Sequence, residues 1–499
     1  MIGRLAAALG RGMGWGSGGL DAGQSERRLK GFVAARQHVN TLVQASGSTV
    51  LARARYLARN NGYAANAVQC FASAAVGYGI KPAGALAARQ KAWSSWVDRA
   101  DHEGVSDFYG IQYRAATELF IAGECFALRR IAAGEDGAPE LRIQLLPAEM
   151  LDQTYTMTAD PAAVIRQGIE FDIAGHRVAY HFWREHPGDA TEPASGERVR
   201  IPARDVIHVF DPAEAGQLRG LPRLTPAIVK LWLLDVYDDA ELDRKKTAAM
   251  FAAFITRPVT DDGSPLTAVT AARDDPSVGV TGLEPGTMQF LEPGEEMTFS
   301  TPADVGGSYE PFQYRTLVQV CAALGLPYAG VTGDVLKANY SNMRAALIEA
   351  RRRMDRLQHG ILVFQLCRTV WRWWTEVDIL AGRLAAPGYA SDPSRWLQAK
   401  WIPPRNDWID PYKDRQAELL AVRAGFTTLE RVIEAEGYDL AETLSDIARV
   451  NRTLDELGLV LDSDPRKVNR AGVTQAVPEG SMLPDPVIDD AGGPGQEAA

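Results

Sequence analysis

The amino-acid sequence predicts an α+β subunit, mainly helical, with one small β-rich subdomain flanked by long helices. Apolar residues at helical spacing fill much of residues 31–119 and return after Pro222. Between them, residues 120–212 hold short strand-like runs separated by turns such as Gly134-Glu-Asp-Gly137 and His186-Pro-Gly-Asp189. Residues 257–310 fit neither pattern. Six prolines break every run there, and ten acidic residues face two arginines, a local charge of −8.

In chain order, residues 1–30 carry eight glycines and read as a loose arm. The glycine run directly after a short apolar start argues against a secretory signal. The helical pattern of 31–78 has Arg53, Arg55 and Arg59 on a polar face and stops at Gly77 and Gly79, with Pro82 beyond. A helix at 88–101 sets Trp93 and Trp96 on one side, and 109–119 is helical again. Strands are expected at 124–130, 141–146, 165–171, 177–183 and 206–210, with Val178, Tyr180 and Phe182 sharing a face. Thr225 and Pro226 supply a cap and a first-turn proline for a helix over 229–255, about 40 Å long at 1.5 Å per residue. A second helix at 311–325 ends at Gly325 before Pro327.

The most regular segment follows. Met343, Leu347, Ala350, Met354, Leu357, Ile361, Phe364, Cys367, Trp371 and Trp374 recur at steps of three and four. That spacing predicts a long helix with a nearly unbroken apolar stripe spanning about 47 Å. Residues 410–457 read as a compact helical region, entered through Asp410-Pro411 and through Thr427-Thr-Leu-Glu430 as a capping box. The end, 462–499, with five prolines and five glycines, reads as disordered.

Composition narrows the function. In 499 residues, 53 Lys and Arg face 63 Asp and Glu, a net charge of −10, which argues against a protein that coats nucleic acid by positive charge. Cys70, Cys125, Cys321 and Cys367 have neither metal-ligand nor redox spacing and read as reduced thiols. No run of 18 uncharged apolar residues occurs, so no membrane partner is expected. The seven histidines form no zinc-binding pair; His176, His181 and His186 recur every five residues, which puts neighbours on opposite strand faces. There is no phosphate-binding P-loop and no partnered nucleophile, so neither a catalytic residue, a metal nor a cofactor is expected. Arg351-Arg-Arg353 points away from the stripe and reads as a solvated face or, alternatively, as a phosphate contact. Lys337-Ala-Asn-Tyr-Ser-Asn342 carries two readings: a loop plus helix cap, or a loop presenting Lys337 and amide groups to a polyanion.

Several segments carry a resemblance. Pro222-Arg-Leu-Thr-Pro-Ala-Ile, Leu242-Asp-Arg-Lys-Lys-Thr-Ala-Ala-Met, Phe290-Leu-Glu-Pro-Gly-Glu, Ala322-Ala-Leu-Gly-Leu-Pro-Tyr and Trp408-Ile-Asp-Pro resemble the portal proteins of lambda-type tailed phages. Thr332-Gly-Asp and Lys337-Ala-Asn-Tyr-Ser-Asn-Met-Arg-Ala-Ala-Leu-Ile-Glu-Ala-Arg-Arg-Arg resemble them too; the block from Leu324-Gly-Leu-Pro to Glu349-Ala-Arg-Arg-Arg is the most specific part, and the likeness covers about residues 30–460. It implies a homo-oligomeric ring, usually of twelve subunits, at one capsid vertex of the virion, assembled in the host cytoplasm. Double-stranded DNA passes through its channel without sequence specificity. The implied partners are the terminase large subunit, head-tail adaptors, and major capsid and scaffold proteins.

The resemblance also implies a plan. Residues 31–228 would form a wing, 229–256 and 311–326 two stem helices, and 257–310 an acidic clip between them. A channel loop would occupy 327–341, a long helix and connection 342–400, and a helical crown 401–461. Lys337, Asn339, Tyr340, Asn342 and Arg344 are then the expected channel-loop residues. Asp261, Asp262, Asp274, Asp275, Glu284, Glu292, Glu295 and Glu296 are expected in the clip, to repel DNA or to dock basic partner surfaces. From their spacing alone, Met343, Leu347, Met354, Leu357, Ile361, Phe364, Trp371 and Trp374 are expected to pack subunits together, with Trp371 and Trp374 alternatively serving as core anchors. Two other readings stand beside this one. A non-viral helical scaffold would explain the stripe but not the acidic insert, and a metal-dependent hydrolase would need a localised carboxylate or nucleophile cluster that the sequence does not display.

Overall fold

The computed structural model describes residues 36–84, 87–160, 163–189, 196–249, 253–256, 296–299, 309–336, 340–404, 411–461, 464 and 466. The N-terminal arm, nearly all of the acidic segment, and the tail from 467 lie outside them. The described elements mix helix and sheet, as the α+β reading expected. The chain divides into two compact units.

The first unit comprises residues up to 71, 115–128 and 145–337. It opens with α1 (Val39–Asn60) and the start of α2 (Gly62–Val76) and takes up the end of α4 (Phe108–Ile121). Strands β2 (Glu124–Ala133), β3 (Pro139–Pro147) and β9 (Val206–Phe210) form one sheet, in the order β3-β2-β9, with Glu124 opposite Phe210 and Leu128 opposite Val206. A five-stranded antiparallel meander runs β4 (Met157–Asp160), β5 (Ala163–Arg166), β6 (Ile169–Phe171), β7 (Arg177–Trp183), β8 (Arg198–Pro202). Phe126, Leu146, Ile169, Phe171, Tyr180 and Phe182 share one buried cluster, with Phe126 and Phe182 edge to face at 5.1 Å.

The strand expected at 165–171 is two strands. Gln167 and Gly168 both have positive φ, 51° and 80°, the geometry of a tight hairpin turn, so the chain reverses between β5 and β6. The helix expected over 229–255 also ends early. It is α5 (Ile228–Ala249), and Ala253–Thr256 forms strand β10, paired with β11 (Glu296–Phe299). Phe254, Ile255 and Thr256 favour strand, and their pairing with Glu296–Phe299 takes the segment out of the helix. The unit closes with α6 (Tyr309–Leu324) and α7 (Tyr328–Thr332).

The second unit comprises 72–114, 129–144 and 338 onward. It contains β1 (Lys81–Ala83), α3 (Ala87–Val97), the tip of the β2–β3 hairpin, and α8 (Tyr340–Leu357). Then come a π-helical segment (Gln358–Cys367), α9 (Arg368–Leu380), α10 (Ser394–Leu397) and β12 (Lys400–Ile402), which pairs with β1. Three helices end it: α11 (Pro411–Arg423), α12 (Leu429–Ala435) and α13 (Leu440–Glu456). Thr428, not Thr427, caps α12, its hydroxyl accepting from Arg431 N.

Its core is aromatic. Trp93 lies 4.8 Å from Trp371 and 5.1 Å from Trp374, with Trp96, Phe108 and Trp401 completing the cluster. Arg89 stacks 4.3 Å over Trp371 and donates to Thr375 Oγ1 at 2.6 Å; burial pushes its guanidinium down to about 10. The indole N–H groups of Trp371 and Trp374 find no acceptor among the described residues.

The apolar stripe does not stay on one face. Through the π-helical turn the buried positions recur at four and five residues (Gln358, Leu362, Cys367, Trp371), because an i→i+5 helix holds more residues per turn. Phe364 therefore swings outward and is 61% exposed, while Met354, Leu357, Ile361, Trp371 and Trp374 are buried within this chain. Those five are consequently unavailable as a subunit-packing stripe, and Trp371 and Trp374 take the core role that was their alternative. Met343 and Leu347 are half-buried.

Truncating the centre of the aromatic cluster, Trp374→Ala, is expected to lower stability by about 3–5 kcal/mol. Chemical denaturation followed by tryptophan fluorescence measures it; a loss below about 1 kcal/mol would show that the cluster is not the core of this unit.

Candidate functional site

Two antiparallel helices dominate the candidate site. Asp238 on α5 accepts from Tyr309 Oη at 3.0 Å and from Gln313 Nε2 at 3.2 Å on α6. Tyr237 packs on Tyr309 and Phe312 at 5.9 and 5.0 Å, while Lys230, two turns earlier, meets Gln319, further along α6. Rising numbers on one helix meet falling numbers on the other. Beyond α5, backbone pairing of β10 with β11 brings Thr256 opposite Glu296, so the ribbon leads directly into and out of the acidic segment.

One face of α5 is uncovered. Val229 (64%), Trp232 (49%), Leu233 (59%) and Val236 (49%) are exposed at positions i, i+3, i+4 and i+7, which form a single helical stripe. Tyr56 of α1, itself exposed, meets Trp232 edge to face at 6.1 Å, and Asn61 Nδ2 donates to Asp235 at 2.6 Å. Large apolar side chains in contiguous array on a soluble surface signal a contact site.

The entry to α5 is fixed by a buried charged trio. Arg219, Glu124 and His208 are all under 5% exposed at their side chains. Arg219 Nε donates to Glu124 Oε1 at 2.7 Å, His208 Nε2 lies 2.8 Å from Glu124 Oε2, and Gly220 N donates to the same oxygen at 2.7 Å. Burial works to raise the Glu124 carboxyl, but the Arg219 charge and the His208 contact hold it down at about 2. Burial depresses His208 to about 4. Beside the trio, Gly123 (φ +82°) faces the Leu221 backbone so closely that a Cβ would sit 2.1 Å from its carbonyl carbon. Only glycine allows that approach.

The loop after α7 is pinned at its root. Asn66 Nδ2 donates to the carbonyls of Gly330 (3.0 Å) and Val331 (2.7 Å), and Gly333 ends α7 in the left-handed conformation. Past Asp334, whose carboxylate accepts from Leu336 N at 2.9 Å, the described tip is apolar: Val335 and Leu336 are both exposed, Leu336 almost fully.

Of the expected channel residues, Lys337 and Asn339 lie outside the described residues, and Tyr340 and Asn342 open α8 as backbone. Arg344 is exposed, 3.9 Å from Asp414 of its own chain. Of the expected clip acids, Asp261, Asp262, Asp274, Asp275, Glu284, Glu292 and Glu295 lie outside the described residues; Glu296 is the first residue of β11. The α5 stripe and the trio were missed. The stripe has a signal, apolar residues at i, i+3, i+4 and i+7, but periodicity does not say whether a face is covered. The trio has none, since its members are 84 and 95 residues apart.

The described residues thus set side by side a pair of helices, an outgoing ribbon and an uncovered apolar stripe. Residues 25–358 match the family model "Phage portal protein, lambda family". The chain belongs to the lambda family of phage portal proteins. It is 26% identical over 350 residues to a probable portal protein of Halomonas phage phiHAP-1, covering 68% of this chain and 64% of that protein, so the match spans just under two thirds of the relative. It is 23% identical to the portal protein of Escherichia phage N15, covering 89% and 91%. Among solved structures, the neck of an empty GTA particle computed with C6 symmetry is similar over 79% of this chain and 93% of that one, at 16% identity and a TM-score of 0.47.

Acid titration tests the trio. Both folded-state values lie below the ordinary 6.5 and 4.5, so on acidification the unfolded chain takes up protons first. The stability they contribute is complete above pH 6.5 and declines through pH 4 and below. His208→Gln, which keeps a hydrogen-bonding group, is expected to flatten the fall in melting temperature between pH 6.5 and 4; an unchanged slope would remove His208 from this role.

Proposed function

We propose that this chain is the repeating subunit of a ring, about twelve copies, that forms a channel for double-stranded DNA at one capsid vertex. Through it DNA would enter, driven by the terminase large subunit, and leave, with head-tail adaptors attached outside and major capsid and scaffold proteins around it. The observation that carries the reading is the antiparallel α5–α6 pair, with one apolar face uncovered and its far end opening into the acidic 257–310 segment. In this reading α5 and α6 are the stem, the acidic segment the clip, and the loop around 327–341 faces the channel.

The physics of such a channel supports the assignment. Duplex DNA carries one negative charge per about 1.7 Å, and a lining that gripped phosphates would stall it. A local charge of −8 per subunit, repeated around a ring, repels the backbone and offers basic partner proteins an attractive collar. The apolar tip at Val335 and Leu336 likewise offers phosphates nothing to hold. Lys337, next along the chain, would be the weak cationic contact.

Mass photometry tests the ring: twelve copies of 54.3 kDa give about 650 kDa. Trp232→Glu, which places a charge in the stripe, is expected to shift the population toward single subunits with the far-ultraviolet circular dichroism unchanged. A wild-type protein that stays monomeric under assembly conditions would overturn the reading. Lys337→Ala is expected to leave rings intact and lower DNA packaging; normal packaging would remove Lys337 from the channel.

A further inference from the structure

The last three helices have almost no core of their own. None of the side chains on α12 or α13 is buried, although α13 is strongly amphipathic. Leu440, Leu444, Ile447 and Leu454 recur at steps of four, three and seven, the a/d spacing of a helix seam, with Asn451 at the intervening a position. Leu444 and Ile447 are about half exposed, and Val450 and Leu457 extend the same surface. Helix α11 has its own apolar face, Tyr412, Leu419 and Leu420, with Phe426 beyond it 84% exposed.

Among the described residues, polar contacts tie these helices to the rest of their unit. Asp439, the cap of α13, accepts from Gly84 N at 3.0 Å. Lys400 Nζ donates to Glu430 and Glu434 of α12 at 2.5 and 3.0 Å. Asp414 of α11 lies 3.9 Å from Arg344 of α8, and within the three helices Arg415 meets Glu436 at 2.8 Å. Ile447 also lines a cleft with Pro82 and Ile402 of the same unit, whereas Leu444, Val450 and Leu457 stay exposed.

At roughly 100 Å² of exposed surface for each large apolar residue, the α11 face and the α13 face each show on the order of 300 Å², the size of patch that is often functional on a monomer. A twofold dimer needs one self-complementary face, whereas a closed ring needs two different faces that fit each other. This subdomain has two. Their charges differ in sign as well: α11 carries three basic residues to two acidic, and α13 four acidic to two basic.

We infer that α13 of one copy packs its Leu444–Ile447 face on the Tyr412–Leu420 face of α11 in the next copy, so that residues 411–461 complete their core only on assembly. The inference rests on the ring reading and adds the pair of surfaces that closes it here. Asn451, at the centre of the α13 seam, sets its register at a cost in affinity, as a lone polar residue does in such positions.

Cysteine cross-linking tests it on full-length assembled protein. Leu444→Cys and Leu420→Cys are made singly and together, oxidised, and run on denaturing gels. A ladder of dimer, trimer and higher species from the double variant, with neither single variant linking, is the expected result. A covalent dimer from Leu444→Cys alone would show a twofold α13–α13 contact and overturn the proposal. Rings that form without cross-linking would also overturn it while leaving the ring reading intact. Failure of the wild-type chain to form rings would instead overturn the ring reading, and this proposal with it. Hydrogen exchange supplies a second readout: amides of 440–456 are expected to gain at least tenfold protection on assembly, and equal protection in monomer and ring contradicts coupled folding.

Discussion

Apolar side chains on this chain meet two opposite fates, and the difference organises everything else. Around Trp93, Trp371 and Trp374 they are sealed within one unit, whereas on α5, α11 and α13 side chains of the same kind stand in water. Burying apolar surface is worth roughly 25 cal/mol per Å², so each uncovered face of a few hundred Å² represents several kcal/mol that the single chain does not recover. Soluble proteins rarely leave such faces open. Copies of the chain itself can cover all of them at once, since a ring gives every subunit the same two neighbours.

For α5 to serve as a contact helix it must be aimed, and the trio and the glycines around it do that. Arg219, Glu124 and His208 tie the segment leading into α5 to strands β2 and β9, in an environment where an unpaired charge would be costly. Gly123 and Gly220 let two backbones approach within a distance that any side chain would forbid. At the far side, Asn66 pins the root of the loop after α7, so the apolar tip projects from a fixed base.

Much of this fold was legible in the sequence because period-two and period-3.6 patterns report local structure directly. The strand block, the paired helices around the acidic segment and the terminal helices all followed from such patterns. Three features escaped for physical reasons. The hairpin turn at Gln167-Gly168 needs positive φ at a glutamine, which composition does not announce. The π-helical turn shifts the stripe's phase without altering its spacing, which moved Phe364 outside and left Trp371 and Trp374 inside. The early end of α5 depended on strand pairing with a segment some forty residues away. For the candidate site, periodicity found the helices that carry apolar faces but not which faces are covered, because coverage is a property of tertiary and quaternary packing.

The central claim is that a neighbouring copy covers the α5 stripe. An electron cryomicroscopy reconstruction of the assembled full-length protein, at a resolution that shows side chains, measures this directly. The account predicts a closed ring with a central hole in which Trp232 and Leu233 lie against a helix of the adjacent subunit. A closed ring in which both side chains remain in solvent would contradict it.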